Sequence, residues 1–171
     1  MLVLETERLF LRQFSLKDVD FILTLLNEPS FLRYIGDKKV RNLDDAEQYI
    51  LNGPIASYKQ NGFGLYLVEL KESGASIGMC GLLKREELPD VDIGFAFLPD
   101  YWGRGLAFEA ATAVMKYAEQ TLKLKRIAAI TSPDNDASIK LLQRIGFTFE
   151  RVITLGKNGE PVKLFIKHTN F

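Results

Sequence analysis

The chain reads as one α/β (α+β) domain, a mixed and mostly antiparallel sheet of about seven strands flanked by helices on both faces. Three observations predict it. Short runs of β-branched and aromatic residues recur at strand length, segments with helical apolar spacing stand between them, and no low-complexity linker or internal repeat interrupts the series. At 171 residues a single domain spanning 1–171 can bury a substantial core without a second one.

The elements follow in order. Leu9–Phe14 is the first strand; Ser15 then caps a helix with Asp18 in its positively polarised first turn, and Val19, Ile22, Leu23, Leu25 and Leu26 form its buried side. A second helix starts near Asn42 or Asp44, is broken or kinked by Gly53-Pro54 before Ile55 to Tyr58, and ends at Asn61-Gly62. Leu65–Leu70 and Ser76–Leu83 form a hairpin through Glu72-Ser73-Gly74. Val91–Leu98 is the fourth strand, ended by Pro99-Asp100. From Leu106 to Leu122, Ala107, Ala110, Ala111, Val114 and Ala118 give a helix with a small, apolar face. Arg126–Thr131 is a buried strand, and the helix after it carries Leu141, Leu142 and Ile145 and stops at Gly146-Phe147. A last hairpin pairs Phe149–Leu155 with Val162–His168 across Lys157-Asn158-Gly159.

Composition narrows the function. Lys plus Arg and Asp plus Glu are both 22, so no excess of positive charge argues for nucleic acid or an anionic membrane. Glu5, Glu7 and Arg8 interrupt the opening residues and no run approaches the roughly 20 apolar residues of a membrane span, which predicts a cytoplasmic protein. The lone Cys80 and lone His168 offer no metal pattern, so no metal is expected.

The most informative stretch is Tyr101-Trp102-Gly103-Arg104-Gly105-Leu106-Ala107-Phe108-Glu109-Ala110, which joins the fourth strand to the long helix. The first turn of a helix has N–H groups without carbonyl partners and carries about half a positive charge. Gly103 and Gly105 leave that backbone bare, and Arg104 adds a full charge, so the junction suits a pyrophosphate. The alternative is an ordinary strand-to-helix turn in which glycine supplies a positive φ and Arg104 is solvated. No P-loop and no Gly-x-Gly-x-x-Gly accompanies the stretch, so hydrolysis of nucleotides and binding of dinucleotides lose their usual support.

Three separated segments, Trp102-Gly103-Arg104-Gly105-Leu106-Ala107, Asn135-Asp136-Ala137-Ser138 and Leu141-Leu142-Gln143-Arg144-Ile145-Gly146-Phe147, together resemble the GNAT acetyltransferases. The opening Thr6-Glu7-Arg8-Leu9-Phe10-Leu11-Arg12 and the Trp-Gly-Arg-Gly run look like the branch that includes the ribosomal-protein N-terminal acetyltransferases, and the likeness covers nearly the whole chain. Trp102 departs from the Gln or Arg that opens the family's loop pattern, while Gly105 and Ala107 match it. The resemblance implies that the backbone from Gly103 to Ala107, with Trp102, Arg104 and Leu106, holds the pyrophosphate of acetyl-CoA. It also implies that a bulged fourth strand splays from the fifth, with Gly94 permitting the bulge, so that amides near Phe95 and Phe97 fix the pantetheine arm. No side chain proves that role, and a plain core strand would carry the same residues.

The remaining candidates each have two readings. Asp92 stands where the family often has Glu, as a general base acting directly or through water; the other reading is a solvated edge carboxylate. A Lys amine, with pKa about 10.4, costs roughly 3.5 kcal/mol more to deprotonate than an α-amine near 7.7 to 8.0, so an α-amine needs less help. Glu86, Glu87 and Asp90 make the neighbourhood acidic, either to attract a cationic acceptor or as a wet loop. By the match to Asn-x-x-Ser, Asn135 binds the pantetheine region and Ser138 hydrogen-bonds the departing sulfur; as structure alone, both are helix-cap residues. Leu142 occupies the place of a Tyr general acid and has no proton to give, which makes Ser138 the substitute. Phe31, Tyr34 and Trp102 are candidates to line the acceptor pocket, and Cys80 is a buried hydrophobe in preference to an acetyl carrier.

The expectation is transfer of an acetyl group from acetyl-CoA to a primary amine, on a peptide N-terminus or a small molecule, directly in a ternary complex. A non-catalytic acyl-CoA sensing module, favoured by Leu142, and a purely structural interaction domain are the alternatives. Neither the acceptor nor the oligomeric state is written in the chain.

Overall fold

The computed structural model describes residues 1–155 and 159–169. Its centre is an eight-stranded sheet in the order β1-β2-β3-β4-β5-β6-β8-β7. The strands are β1 (Leu2–Glu5), β2 (Leu9–Gln13), β3 (Leu65–Leu70), β4 (Ser76–Leu83), β5 (Asp92–Phe97), β6 (Arg126–Thr131), β7 (Thr148–Leu155) and β8 (Glu160–His168). Every neighbouring pair is antiparallel except β5 and β6. The strand beyond the expected seven is β1, a four-residue edge whose register shifts against β2. Lys157 and Asn158, assigned to the last turn from sequence, lie outside the described residues.

The helices are α1 (Val19–Leu26), α2 (Pro29–Tyr34), α3 (Leu43–Ile50), α4 (Ala56–Asn61), α5 (Leu106–Gln120) and α6 (Asp136–Ile145). Ser15 and Asp18 form a reciprocal capping box ahead of α1, and the Asn42 side chain caps α3. Gly53-Pro54 does not break the helical path. A wider π-turn, Leu51–Ile55, carries α3 into α4, and it absorbs the amide that Pro54 lacks. Gly62 then closes α4 in the left-handed conformation.

Alternation along the central strands sorts side chains to two cores. Leu65, Leu67 and Met79 face α1 and α3 through Ile22, Leu25, Leu26, Ala46 and Ile50. Tyr66, Val68, Cys80 and Leu82 face α5, whose Ala110, Ala111, Val114 and Ala118 are fully buried. Those small residues let the helix lie close on the sheet, which sets the position of its N-terminus at the end of β5. No helix among the described residues is long and apolar enough to cross a membrane.

Candidate active site

The sheet opens between β5 and β6. Their ladder holds the single pair Asp92↔Ala128, with the Ala128 amide donating to the Val91 carbonyl at 2.9 Å. On its other side β5 keeps unbroken register with β4, from Gly78↔Phe97 to Leu83↔Asp92, and the Leu98 amide donates to the Ile77 carbonyl. Alternation therefore turns the Gly94 and Ala96 amides toward β4 and the Phe95 and Phe97 amides toward the opening. The splay expected from the resemblance is present, but the bulge at Gly94 is not. Gly94 answers a packing need instead, since a Cβ there would lie 3.1 Å from Leu83 Cδ1.

Past β5 the chain reaches the glycine loop. Gly103 and Gly105 both have φ of +76°, where side chains are strained, and Gly105 is the N-cap of α5. A Cβ at Gly103 would meet nothing within 4 Å, and one at Gly105 would meet only Arg8 Nη2 at 3.5 Å, so the loop's outer face is open. The Arg104 guanidinium leans over the Tyr101 ring, 5.4 Å from its centroid, and stays exposed beside the loop. Trp102 is not among the residues that line the cavity beside β5. Its indole N–H donates to the Phe97 carbonyl at 2.9 Å and ties the loop to the open edge of β5.

A brace from the N-terminal segment holds the first turn of α5. The Glu109 carboxylate accepts the Thr6 hydroxyl, the Arg8 amide at 2.9 Å and Arg8 Nε at 2.7 Å, while Arg8 Nη1 donates to the Arg104 carbonyl at 2.9 Å. The Thr6–Arg12 segment was legible only as a resemblance; its contact with Glu109, a hundred residues on, required the fold.

A cavity of about 490 Å³ runs from Asp92 along β5 into the opening beside β6, walled by α2, the α3–α4 turn and the diverging β5 and β6. Asp92, Phe95, Asn135, Ser138 and Leu142 line it with Phe31 and Tyr34. Asn135 Oδ1 accepts the Ser138 amide at 3.3 Å, so the capping role is real, and it leaves the Ser138 hydroxyl facing the cavity without a hydrogen bond among the described residues. Thr131 Oγ1, also in the lining, is buried with no hydrogen-bond partner among the described residues. Buried hydroxyls are seldom left so, and each costs about 1–3 kcal/mol when they are.

Asp92 is fully buried, not a solvated edge carboxylate. Its oxygens accept Arg85 Nε at 3.1 and 3.2 Å. Burial nevertheless pushes its pKa up to about 6, outweighing the Arg85 charge that pulls it down. The acidic residues nearby belong elsewhere. Glu87 and Asp90 border a separate hollow, where Asp90 accepts Arg126 Nε at 2.9 Å, and Glu86 is exposed outside the cavity. Cys80 is fully buried on the α5 side, its thiol pushed far up by desolvation, which fits the hydrophobe and not a carrier. His168 is exposed at the end of β8. Arg85, Lys38, Tyr49 and Thr131 join the cavity without any local sequence signal, because each arrives from a different element.

The family described as Acetyltransferase (GNAT) domain matches residues 8–148. The uncharacterized N-acetyltransferase YoaA of Bacillus subtilis (strain 168) is 30% identical over 163 residues, 93% of this chain and 91% of the relative. The crystal structure of an acetyltransferase from Agrobacterium tumefaciens str. C58 has a TM-score of 0.82 at 26% identity, over 97% of this chain and 94% of that one. RimL, a ribosomal L7/L12 alpha-N-protein acetyltransferase solved in complex with coenzyme A, has a TM-score of 0.83 over 99% of this chain and 98% of its own. At 17% identity that last likeness is one of fold.

The brace predicts a local effect. Glu109→Ala removes the acceptor for three donors, so the denaturant midpoint should fall by the equivalent of about 1–3 kcal/mol, and amide exchange should quicken first at Arg104 to Ala107. Equal protection of that loop in the variant would show that Glu109 does not hold it.

Proposed function

Because the chain belongs to the GNAT acetyltransferase family and is by that membership an N-acetyltransferase, we propose that acetyl-CoA is its donor, with the thioester arm laid in the opening between β5 and β6. The acceptor is a primary amine, on a peptide N-terminus or a small molecule, and takes the acetyl group directly within the whole domain 1–171. The observation that carries this reading is the single β5–β6 pair, after which Phe95 and Phe97 amides face a gap instead of a ladder. Two others support the fit: the open positive-φ loop at Gly103 and Gly105, and the orphaned Thr131 hydroxyl. RimL, of the same fold, was solved with coenzyme A bound.

Acetyl-CoA supplies an activated acyl group on sulfur. The loop from Trp102 to Ala107 grips the pyrophosphate through bare amides and the α5 dipole, with Arg104 adding charge. The Phe95 amide fixes the arm and stabilises negative charge at the thioester oxygen. Asp92 takes the proton the amine loses as the new N–C bond forms. Its carboxylate is fully buried and faces Arg85, so the proton reaches it through a water relay. Asn135 sets the first turn of α6, and Ser138 donates a hydrogen bond to the sulfur as the C–S bond breaks; Leu142 contributes no proton. A free hydroxyl in the cavity favours turnover over the sensing alternative.

Calorimetry and thiol release test the reading together. Gly105→Glu puts a side chain at φ of +76° and a negative charge beside the pyrophosphate, so the acetyl-CoA Kd should rise at least about tenfold; unchanged affinity in the folded variant would reject the placement. Ser138→Ala should lower kcat about tenfold or more with the donor Kd unmoved, and an unaltered kcat removes it from the chemistry.

Asp92 predicts a pH signature. Only its ionised form accepts a proton, so activity falls as pH drops through about 6. The amine's own ionisation already gives log kcat/KM a slope of about one, and this should steepen to about two below pH 6. Asp92→Asn should lower kcat about a hundredfold or more and keep the shallower slope throughout. Stability runs the same chemistry in the opposite sense. Burial raises the folded pKa above the unfolded value of about 3.9, so the carboxyl favours folding most at low pH and opposes it increasingly from about pH 4 to 6.

A further inference from the structure

The charges lining the cavity are unbalanced. Lys38, Lys84 and Arg85 border it, and Asp92 is the one carboxylate among the described lining residues. Asp92 engages Arg85 through Nε alone, and the Arg85 η nitrogens make no hydrogen bond among the described residues. The Arg85 side chain is 32% exposed and is held in place by a partner that is 1% exposed, so its free donors are pre-oriented. Lys38 is exposed at the cavity rim, and its amine is pushed below the usual range first by desolvation and then by Arg85's charge, so the two cations stand close enough to feel each other.

The donor's phosphates do not account for these cations. None of Trp102 to Ala107 lines the cavity. The cations stand at the Asp92 end of β5, and the glycine loop follows its Phe97 end; six residues of strand separate the ends by about 17 Å. That is twice the screening length of about 8 Å at physiological salt.

We propose that the acceptor amine carries an anionic group, a carboxylate or a phosphate, which seats on the free Arg85 donors with Lys38 and Lys84 at the rim. This rests on the transferase reading above and names the substrate class for it. A guanidinium with its outer nitrogens free suits a two-oxygen anion, and the flanking ammonium groups attract it in solution and repel polycations such as spermidine. With the anion there, the amine reaches toward the opening between β5 and β6, on the side where Ser138 and Phe95 lie.

Matched acceptors test it with the full-length chain and acetyl-CoA. Glycylglycine against glycylglycinamide isolates a carboxylate, 2-aminoethyl phosphate against ethanolamine isolates a phosphate, and spermidine represents polycations. In at least one pair the anionic member should exceed its neutral partner about tenfold or more in kcat/KM, with spermidine the poorest, and added salt should narrow the gap. The Lys38→Met/Lys84→Met variant should raise KM for the anionic amine severalfold while leaving its neutral partner and the acetyl-CoA Kd unchanged. Preference for spermidine or the neutral amines, or an unaltered ratio in the variant, overturns the inference and leaves the transferase reading standing. Failure to bind acetyl-CoA overturns the site itself, and coenzyme binding without thiol release from any of the five amines counts against both.

Discussion

The site depends on one interruption. Two parallel strands at the middle of a sheet keep their ladder for a single pair and then separate, at the place where a buried sheet would ordinarily be most fully paired. Backbone amides removed from water must find partners, and each that does not costs about 1–3 kcal/mol. The Phe97 carbonyl on that edge is taken by the Trp102 indole, but nothing among the described residues does the same for the Phe95 amide. A strand edge left open in this way can pair with a ligand that carries its own backbone-like amides. The pantetheine arm of coenzyme A has them.

Keeping the gap open requires rigid walls. On one side β5 is locked to β4 through six register pairs without a shift; on the other β6 is fixed by six pairs to β8. The parted strands can neither zip together nor drift, because each is fully paired on its far edge. The helix that follows β5 is positioned by the same logic. Alanines at 110, 111 and 118 bring α5 close to the sheet, and the Glu109 carboxylate ties its first turn to Thr6 and Arg8. On the proposed reading the glycine loop would meet its anion already shaped, so little ordering cost would fall on binding.

Local signals carried much of this architecture. The Ser15–Asp18 cap, the Asn42 cap, the Gly62 and Gly146 stops and the Gly74 turn stand where turn and cap chemistry put them. What escaped was set by tertiary context. β1 is too short to show a period, and Pro29–Tyr34 forms its helix under a core contact at Phe31. Pro54 reads as a breaker because the π-turn that accommodates it has no sequence signature. In the site, Gly103, Gly105 and Asn135 were legible because positive φ and helix capping favour those residue types, whereas Ser138 was picked out by resemblance alone. Asp92 was legible as a carboxylate but not as a buried one, since burial is decided by Arg85 and by the elements packed above it. The acidic stretch at Glu86 to Asp90 shows the same limit: charge is visible in a sequence, and the direction it faces is not.

The Asp92–Arg85 pair couples two properties that a sequence would treat separately. Burial alone drives a carboxyl toward neutrality and a full ion pair drives it toward the ordinary range; here the first prevails and leaves Asp92 near 6. A base with that affinity is mostly ionised at neutral pH and yet holds a proton better than an exposed Asp by about two pKa units. The same contact spends only the Nε of Arg85. On the proposed acceptor reading, an anion on the outer nitrogens would draw part of the positive field away from Asp92 and raise its affinity further, so that the base strengthens when the acceptor arrives. Removing Arg85 would then do more than weaken binding. It would leave Asp92 buried without a counter-ion and push its pKa further up, so that less of the ionised base is there to take the proton from any amine, anionic or not.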